Sequence, residues 1–501
     1  MTTTVDGLLL VLAVLVPFIG AMVAFALGGR NAHRVALLTI VLGCIVVFDI
    51  AGGLLRSGHA LVYILGGWTP PLGIALRADG LSVVMMFAVA VVIGGIGVYA
   101  LGDFGTRRGE SEARAPLTFW LLLLAVWASL NLVFVSGDLF TLYVALELLT
   151  FAGVPLVSLD GRGETLRAAL RYLLFALSGS LLYLLGAVLL YGGYGTLDIS
   201  LLAQRIHAEP IAWAAAALMT TGLLAKTALF PLHMWLPPAH AGAPAAASAV
   251  LSALVIKGSW FLVIRLWIDV MPGVVTLPSA QLLGALGAAA IFVGNIVALR
   301  QARLKLLIAY STVAQIGYLF LMFPIFAGLL ARHLETAWVV TGGLLQAISH
   351  ATAKAAMFMA AGLIYKTLGH DRVADLRGVG GALPMTLVGF ALGGASLIGL
   401  PPSGGFLAKW LLLTAALQTA QWWWAATMLV GGLLTSAYVF IVIVRAMEPA
   451  EAAWVPKTRV PRYQEVAVLA LALCSFLLGL AALSSIDPTQ IGRPDTLFGA
   501  R

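Results

Sequence analysis

Apolar runs of about eighteen or more residues recur along the whole of this chain, and each is long enough to cross a bilayer. Lipid offers no partner for backbone N–H and C=O groups, so a spanning segment is either a helix or a strand of a closed barrel. Barrel strands alternate apolar and polar residues over about ten positions. The runs here are continuous. They predict an all-α, polytopic membrane protein, a single membrane domain over 1–501. Fourteen spans are expected, at roughly 7–28, 34–54, 79–100, 117–136, 139–159, 166–193, 211–236, 246–268, 280–300, 304–326, 336–366, 385–413, 423–445 and 464–485. The first has no basic region before it and no small-residue cleavage site, so it reads as a retained span. The longest loop, 55–78, holds GGWTPPLGI, a turn-rich segment.

Net charge is +8, which raises the question of nucleic acid. The positions of the 29 Lys and Arg answer it. Eighteen fall in one set of alternate loops, among them Arg30, Arg107, Arg108, Arg162, Arg171, Arg303, Lys305, Lys366 and Arg445. Seven fall in the other set with the termini: Arg56, Arg77, Arg205, Arg265, Arg332, Arg493 and Arg501. Basic loops stay in the cytoplasm, so the bias is a topology signal that leaves both termini outside. It gives no reason to expect nucleic acid.

The remaining four, Lys226, Lys257, Lys354 and Lys409, lie inside spans. An ammonium at membrane depth is expensive and is a functional-site hypothesis by default. Of the 21 acids, only Glu147 lies well inside a span. It sits nine residues beyond Asp138, about 13 Å along a helix. Lys226 has a similar depth on another span, so the two are expected to pair. A static ion pair would explain one lysine but not four. His350 and Lys354 are four apart and share a helix face. His350 is either a satisfied core residue or, beside a buried Lys, a relay that titrates near neutral pH. Lys226 precedes a break containing Pro231, and Lys409 follows one containing Pro401 and Pro402. Paired broken helices point to a transport site. Ser311, Gln315 and Tyr318 either line a water path or bond to neighbouring helices. His233 and His240 flank the first break, as loop structure or path lining.

No phosphate loop, iron–sulfur cysteine cluster, haem attachment motif or metal-ligand pattern is present. Cys44 and Cys474 read as small core residues. No cofactor, metal or catalytic residue is expected, and the energy must come from an ion gradient or a partner.

These residues carry a resemblance. GDLFTLYVALELL with Glu147, AKTALFPLHMWLP with Lys226, ALVIKG with Lys257, LKLLIAYSTVAQIGY, HATAKAAMF and GLPPSGGFLAKW with Lys409 together resemble a known family. It is that of the antiporter-like subunits shared by Mrp-type cation/proton antiporters, respiratory complex I and membrane-bound hydrogenases. YILGGWTPPLGIALRADGLS and YGGYGTLDI look most like the D-type component of Mrp antiporters. Arg171 stands where relatives commonly have Lys. The resemblance implies two inverted five-helix repeats, about 117–268 and 280–445, with broken helices seven and twelve. It implies protons running along Lys226, Lys257, His350/Lys354 and Lys409, with Glu147 tuning Lys226. Partners would be other membrane subunits, protons, Na⁺ or K⁺, and the lipid of the cell inner membrane. The alternatives are a proton-pumping subunit of a complex I-like or hydrogenase enzyme, and a subunit coupling proton-motive force to inorganic carbon uptake.

The charge bias is directly testable. Alkaline phosphatase fused after Arg501 is expected to be active, as an outside reporter, and a cytoplasmic reporter there to be silent. The reverse pattern would overturn the span count.

Overall fold

The computed structural model describes residues 2–105, 114–450, 457–481 and 487–493. Arg107, Arg108 and Arg501 of the charge argument lie outside them. Among the described residues, thirteen helices are long and apolar enough to cross a membrane. The expected span 385–413 is broken where its prolines fall, into two half-helices, Pro384–Ile398 and Gly404–Gln418. Among the described residues, twelve continuous helices and two broken ones, 210–242 and 384–418, account for the fourteen expected crossings.

The chemistry of the breaks explains both interruptions. Pro210–Thr227 ends at Ala228, whose φ is +59°, and the chain resumes as Leu236–Gly242 after Pro231. Pro384–Ile398 ends at Gly399, with φ +94°, where a side chain would be strained. Pro401 and Pro402 then supply no backbone donor to continue the helix.

Three helices are buried nearly all round: Ala245–Val270, Leu304–Leu330 and Ala337–Leu368. Apolar side chains on every face allow this, and the same helices carry Lys257, Gln315, His350 and Lys354. Leu8–Leu27 and Ala32–Ser57 lie at the periphery, with Phe18, Met22 and Phe48 exposed. Cys474 is also exposed, and Cys44 is half-buried, so neither is the core residue expected. Helix Gly163–Tyr194 meets Pro210–Thr227 backbone to backbone. A Cβ on Gly222 would collide with the Gly179 carbonyl oxygen, so the contact admits only glycine.

The 55–78 loop is more ordered than its turn residues suggest. Leu61–Ile64 and Ala75–Ala78 form an antiparallel hairpin, with Leu61 opposite Ala78. Its edges are covered by Thr4, whose amide donates to the Val62 carbonyl, and by Gly137, whose amide donates to that of Ala75. Beside the hairpin, Arg265 is not the loop residue expected. It lies in the last, π-helical turns of Ala245–Val270, 2.5 Å from Asp79 and 2.7 Å from Asp269. Arg493, fully buried, reaches Asp269 at 3.0 Å and ties the end of the described chain to the same cluster. The helix runs further than its apolar run because the ions at its end neutralise one another.

Asp79 caps Gly80–Phe104 through the Ser82 amide. Burial alone would raise its carboxyl, but the adjacent Arg265, the Ser82 amide and Arg493 hold it well below the usual carboxylate range. A depressed folded pKa contributes stability that is complete above the unfolded value, about 4, and is lost as pH falls through the folded one. Asp79→Asn is therefore expected to lower stability at neutral pH by about 3–5 kcal/mol, since it leaves Arg265 underpaired. The wild-type margin should shrink below about pH 4. Thermal unfolding in detergent at pH 7 and pH 3.5 checks both.

Candidate functional site

Helix Leu139–Val157 starts at Asp138, whose carboxylate accepts from the Phe140 and Thr141 amides at 2.9 and 2.8 Å. That cap fixes the start, and Glu147 follows about 13 Å on. Lys226 comes from the last turn of the first half-helix, Pro210–Thr227. Its ammonium lies 3.2 Å from Glu147 Oε1, so the expected pair forms. The same ammonium donates to Thr150 Oγ1 at 2.8 Å and to the Leu146 carbonyl at 3.4 Å. The Ser180 hydroxyl donates to Glu147 Oε1. Trp235 Nε1 donates to the Ala225 carbonyl at 2.9 Å, capping the half-helix beside Lys226, and stacks on Tyr172 at 4.2 Å.

Lys257 lies just past a π-helical turn, Leu251–Val255. Its ammonium donates to the Ser252 carbonyl at 2.7 Å and lies 2.6 Å from His350 Nδ1. A charged Lys257 can only donate there, which requires a neutral imidazole carrying its proton on Nε2. His350 and Lys354 share a face but turn to different helices. Lys354 donates to the Ile308 carbonyl at 3.0 Å and to the Ser311 hydroxyl. Ser252 and Thr312 join the two lysine neighbourhoods by a hydroxyl contact of 2.9 Å.

Lys409 comes from the first turns of Gly404–Gln418 and reaches back to the preceding half-helix. It donates to the Leu397 and Ile398 carbonyls at 2.6 and 3.0 Å, below the Tyr318 ring with its centroid at 4.2 Å. Gln315 also donates to the Leu397 carbonyl, at 3.3 Å, and accepts from Gln346 at 3.0 Å. Tyr318 donates to the Met428 carbonyl at 3.3 Å. His240 is fully buried, stacked on Phe358 at 4.6 Å, with no hydrogen-bond partner at either ring nitrogen among the described residues. His233 stacks on Phe230 at the half-exposed break, and Pro231 is exposed.

The fold thus gathers the expected residues into three groups: Glu147 with Lys226, Lys257 with His350 and Lys354, and Lys409 with Tyr318 and Gln315. Ser180, Thr150, Ser252, Thr312 and Gln346 join them without any mark in the sequence. A hydroxyl or amide in an apolar run gives no sign of which helix it will face. The charge pattern places Lys305 in a loop, yet it starts Leu304–Leu330 and donates to the Ala243 carbonyl three residues past His240. It opens on a cavity of about 600 Å³ lined also by Asp103, Asp160, Arg162, Arg303 and Lys366. All of these come from the loop set read as cytoplasmic or from helix ends beside it.

The NADH:quinone oxidoreductase/Mrp antiporter transmembrane family matches residues 136–435. The chain belongs to this family. The N-type component of the NADH-quinone oxidoreductase of Desulforudis audaxviator is 35% identical over 397 residues, 78% of this chain and 76% of that protein. The D-type component of the Na⁺/H⁺ antiporter of Alkalihalophilus pseudofirmus is 30% identical over 437 residues, 85% of this chain and 84% of that one. In the Mrp complex from Dietzia sp., one protein superposes with a TM-score of 0.84, at 23% identity and covering 99% and 98% of the two chains, which shows a common fold.

Thr150 separates local geometry from family membership. Thr150→Val keeps the shape but leaves one Lys226 hydrogen without its acceptor, a cost of about 1–3 kcal/mol. Proton coupling is expected to slow about tenfold, the equivalent of about 1.4 kcal/mol in the barrier. pH-gradient dissipation, normalised to assembled protein, measures it, and a wild-type rate would make Thr150 a bystander.

Proposed function

We propose that this chain is the D-type component of an Mrp-type Na⁺/H⁺ antiporter in the plasma membrane, and that it carries the proton side of the exchange. The observation that supports this best is the series of four ammonium groups held inside the spans, only one of which, Lys226, pairs with a carboxylate among the described residues. Burial disfavours the charged form of a lysine, and a lysine held mainly by neutral oxygens and an imidazole can release and regain its proton. The relationship to a D-type antiporter component over most of both chains supports the antiporter assignment.

In this reading, protons pass along Lys226, Lys257 with His350 and Lys354, and Lys409. Both termini face outward, and 117–268 and 280–445 are inverted repeats. The breaks at Pro231 and at Pro401/Pro402, each beside a buried lysine, support that symmetry. Glu147 sets the charge of Lys226. Ser180 and Thr150 give each partner a second hydrogen bond, so the pair can loosen without leaving either group bare. Lys305 and His240 lie between the cytoplasmic-side cavity and the buried groups, where a proton entering from that side would pass. A second reading, a proton-pumping subunit of a complex I-like enzyme, is favoured by the 35% identity to an N-type component of such an enzyme.

The test is cation-dependent dissipation of a pH gradient in vesicles carrying the complete complex. Na⁺ or K⁺ should support it, and NADH-driven proton pumping without cation exchange would decide for the second reading. Glu147→Ala should cut the rate by at least about tenfold while assembly survives, because an unpaired Lys226 can shed its proton rather than unfold the site. Glu147→Asp should recover part of the rate. Wild-type transport by Glu147→Ala across pH would refute the paired mechanism.

A further inference from the structure

The half-helix Pro384–Ile398 ends inside the protein and, like every helix end, leaves carbonyls without an intrahelical partner. The helix dipole makes that end attractive to cations. The Gly399 and Leu400 amides both return to the Ala395 carbonyl at 3.0 Å, leaving those of Leu397 and Ile398 free of the turn. These two carbonyls hold the Lys409 ammonium at 2.6 and 3.0 Å. The Tyr318 ring faces the same charge at 4.2 Å, within the range of a cation–π contact. Gly399 makes the room: a Cβ there would approach Lys409 Cδ to 3.0 Å. Among the described residues, no carboxylate pairs with Lys409. The arrangement is a neutral cradle of two carbonyls and a π face, filled by a monovalent cation that is tethered to the chain.

Carbonyls at the ends of broken membrane helices also coordinate free alkali cations. More oxygens lie close by in sequence. The Ser396 hydroxyl meets those of Ser349 and Ser475 at 2.6 and 2.7 Å, and Ser475 donates to the Ser349 carbonyl at 2.9 Å. We propose that the Leu397–Ile398 cradle is a monovalent-cation site that the Lys409 ammonium and Na⁺ occupy in turn, so that a proton on Lys409 excludes Na⁺ and its loss admits it. This rests on the antiporter reading and adds to it a place where the two ions compete.

Competition makes Na⁺ affinity depend on pH, and few titratable groups stand near Lys409. Tyr318 comes from Leu304–Leu330 and Tyr438 from Trp422–Met447, and both are buried. On Ala337–Leu368, His350 and Lys354 engage Lys257 and Ser311 instead. On Arg462–Ala481, Glu465 bonds to Thr386, and the Cys474 thiol is exposed. Pro384–Ile398 carries no ionisable side chain.

The experiment uses the purified complete complex and ²²Na⁺ as the chloride, with equilibrium binding at pH 6.5 to 9 and exchange in proteoliposomes. Wild-type affinity should rise by up to about tenfold per pH unit, one proton leaving per Na⁺ bound. Lys409→Ala should abolish exchange yet keep Na⁺ binding, now flat with pH. Tyr318→Leu should raise the KM for Na⁺ several-fold with a smaller change in maximal rate, and Tyr318→Phe, which keeps the ring, should restore it. Wild-type affinity that is flat with pH, loss of Na⁺ binding in an assembled Lys409→Ala complex, or an unchanged KM in Tyr318→Leu would each overturn the cradle. If Lys409→Ala fails to assemble, the Tyr318 pair decides. Failure of the underlying reading looks different: the wild-type complex would then exchange neither Na⁺ nor K⁺ for protons.

Discussion

An ammonium group removed from water must find oxygen, and most of the architecture answers that demand. Lys226 has a carboxylate. The other three take main-chain carbonyls, those of Ser252, Ile308, and Leu397 with Ile398. Regular helices have few carbonyls to spare, because each is already an acceptor within its own turn. The helices are accordingly irregular where the lysines need them: a π-helical turn before Lys257 and a full break before Lys409. At Lys354, the Ile308 carbonyl also accepts from the Ser311 and Thr312 hydroxyls and so is shared rather than freed.

Neutral acceptors suit transport better than fixed ion pairs. A buried pair that loses one partner leaves an uncompensated charge. A lysine held by carbonyls leaves behind only polar oxygens that a water or another cation can satisfy. The one carboxylate, on Glu147, is itself bonded by Ser180, so its position does not depend on Lys226 alone.

Much of this was legible in the chain. Charge inside an apolar run is rare enough to read one residue at a time, which is why Glu147, the four lysines, His350 and both breaks could be named. Their partners could not be, because Thr150, Ser180 and Ser252 look like any hydroxyl on a membrane helix until the packing is known. Helix ends were the weaker part. Arg265 and Lys305 sit at the ends of their expected spans and are counted with the loop charges, because a charge at a helix end reads as a flanking residue: Arg265 is in fact neutralised by two aspartates, and Lys305 reaches a main-chain carbonyl. The hairpin at Leu61–Ile64 was hidden by the glycines and prolines between its strands.

Helix Ala245–Val270 is pinned at its C-terminal end by the Asp79–Arg265–Asp269–Arg493 cluster and wound wide at Leu251–Val255. A π-helical turn holds one residue more than an α-helical turn. Moving that extra residue past Lys257 would turn the side chain about 100° around the axis, the angle of one residue in an α-helix, and the pinned end need not stir. A shift of that one turn would re-aim a single lysine while the bundle around it stayed in place.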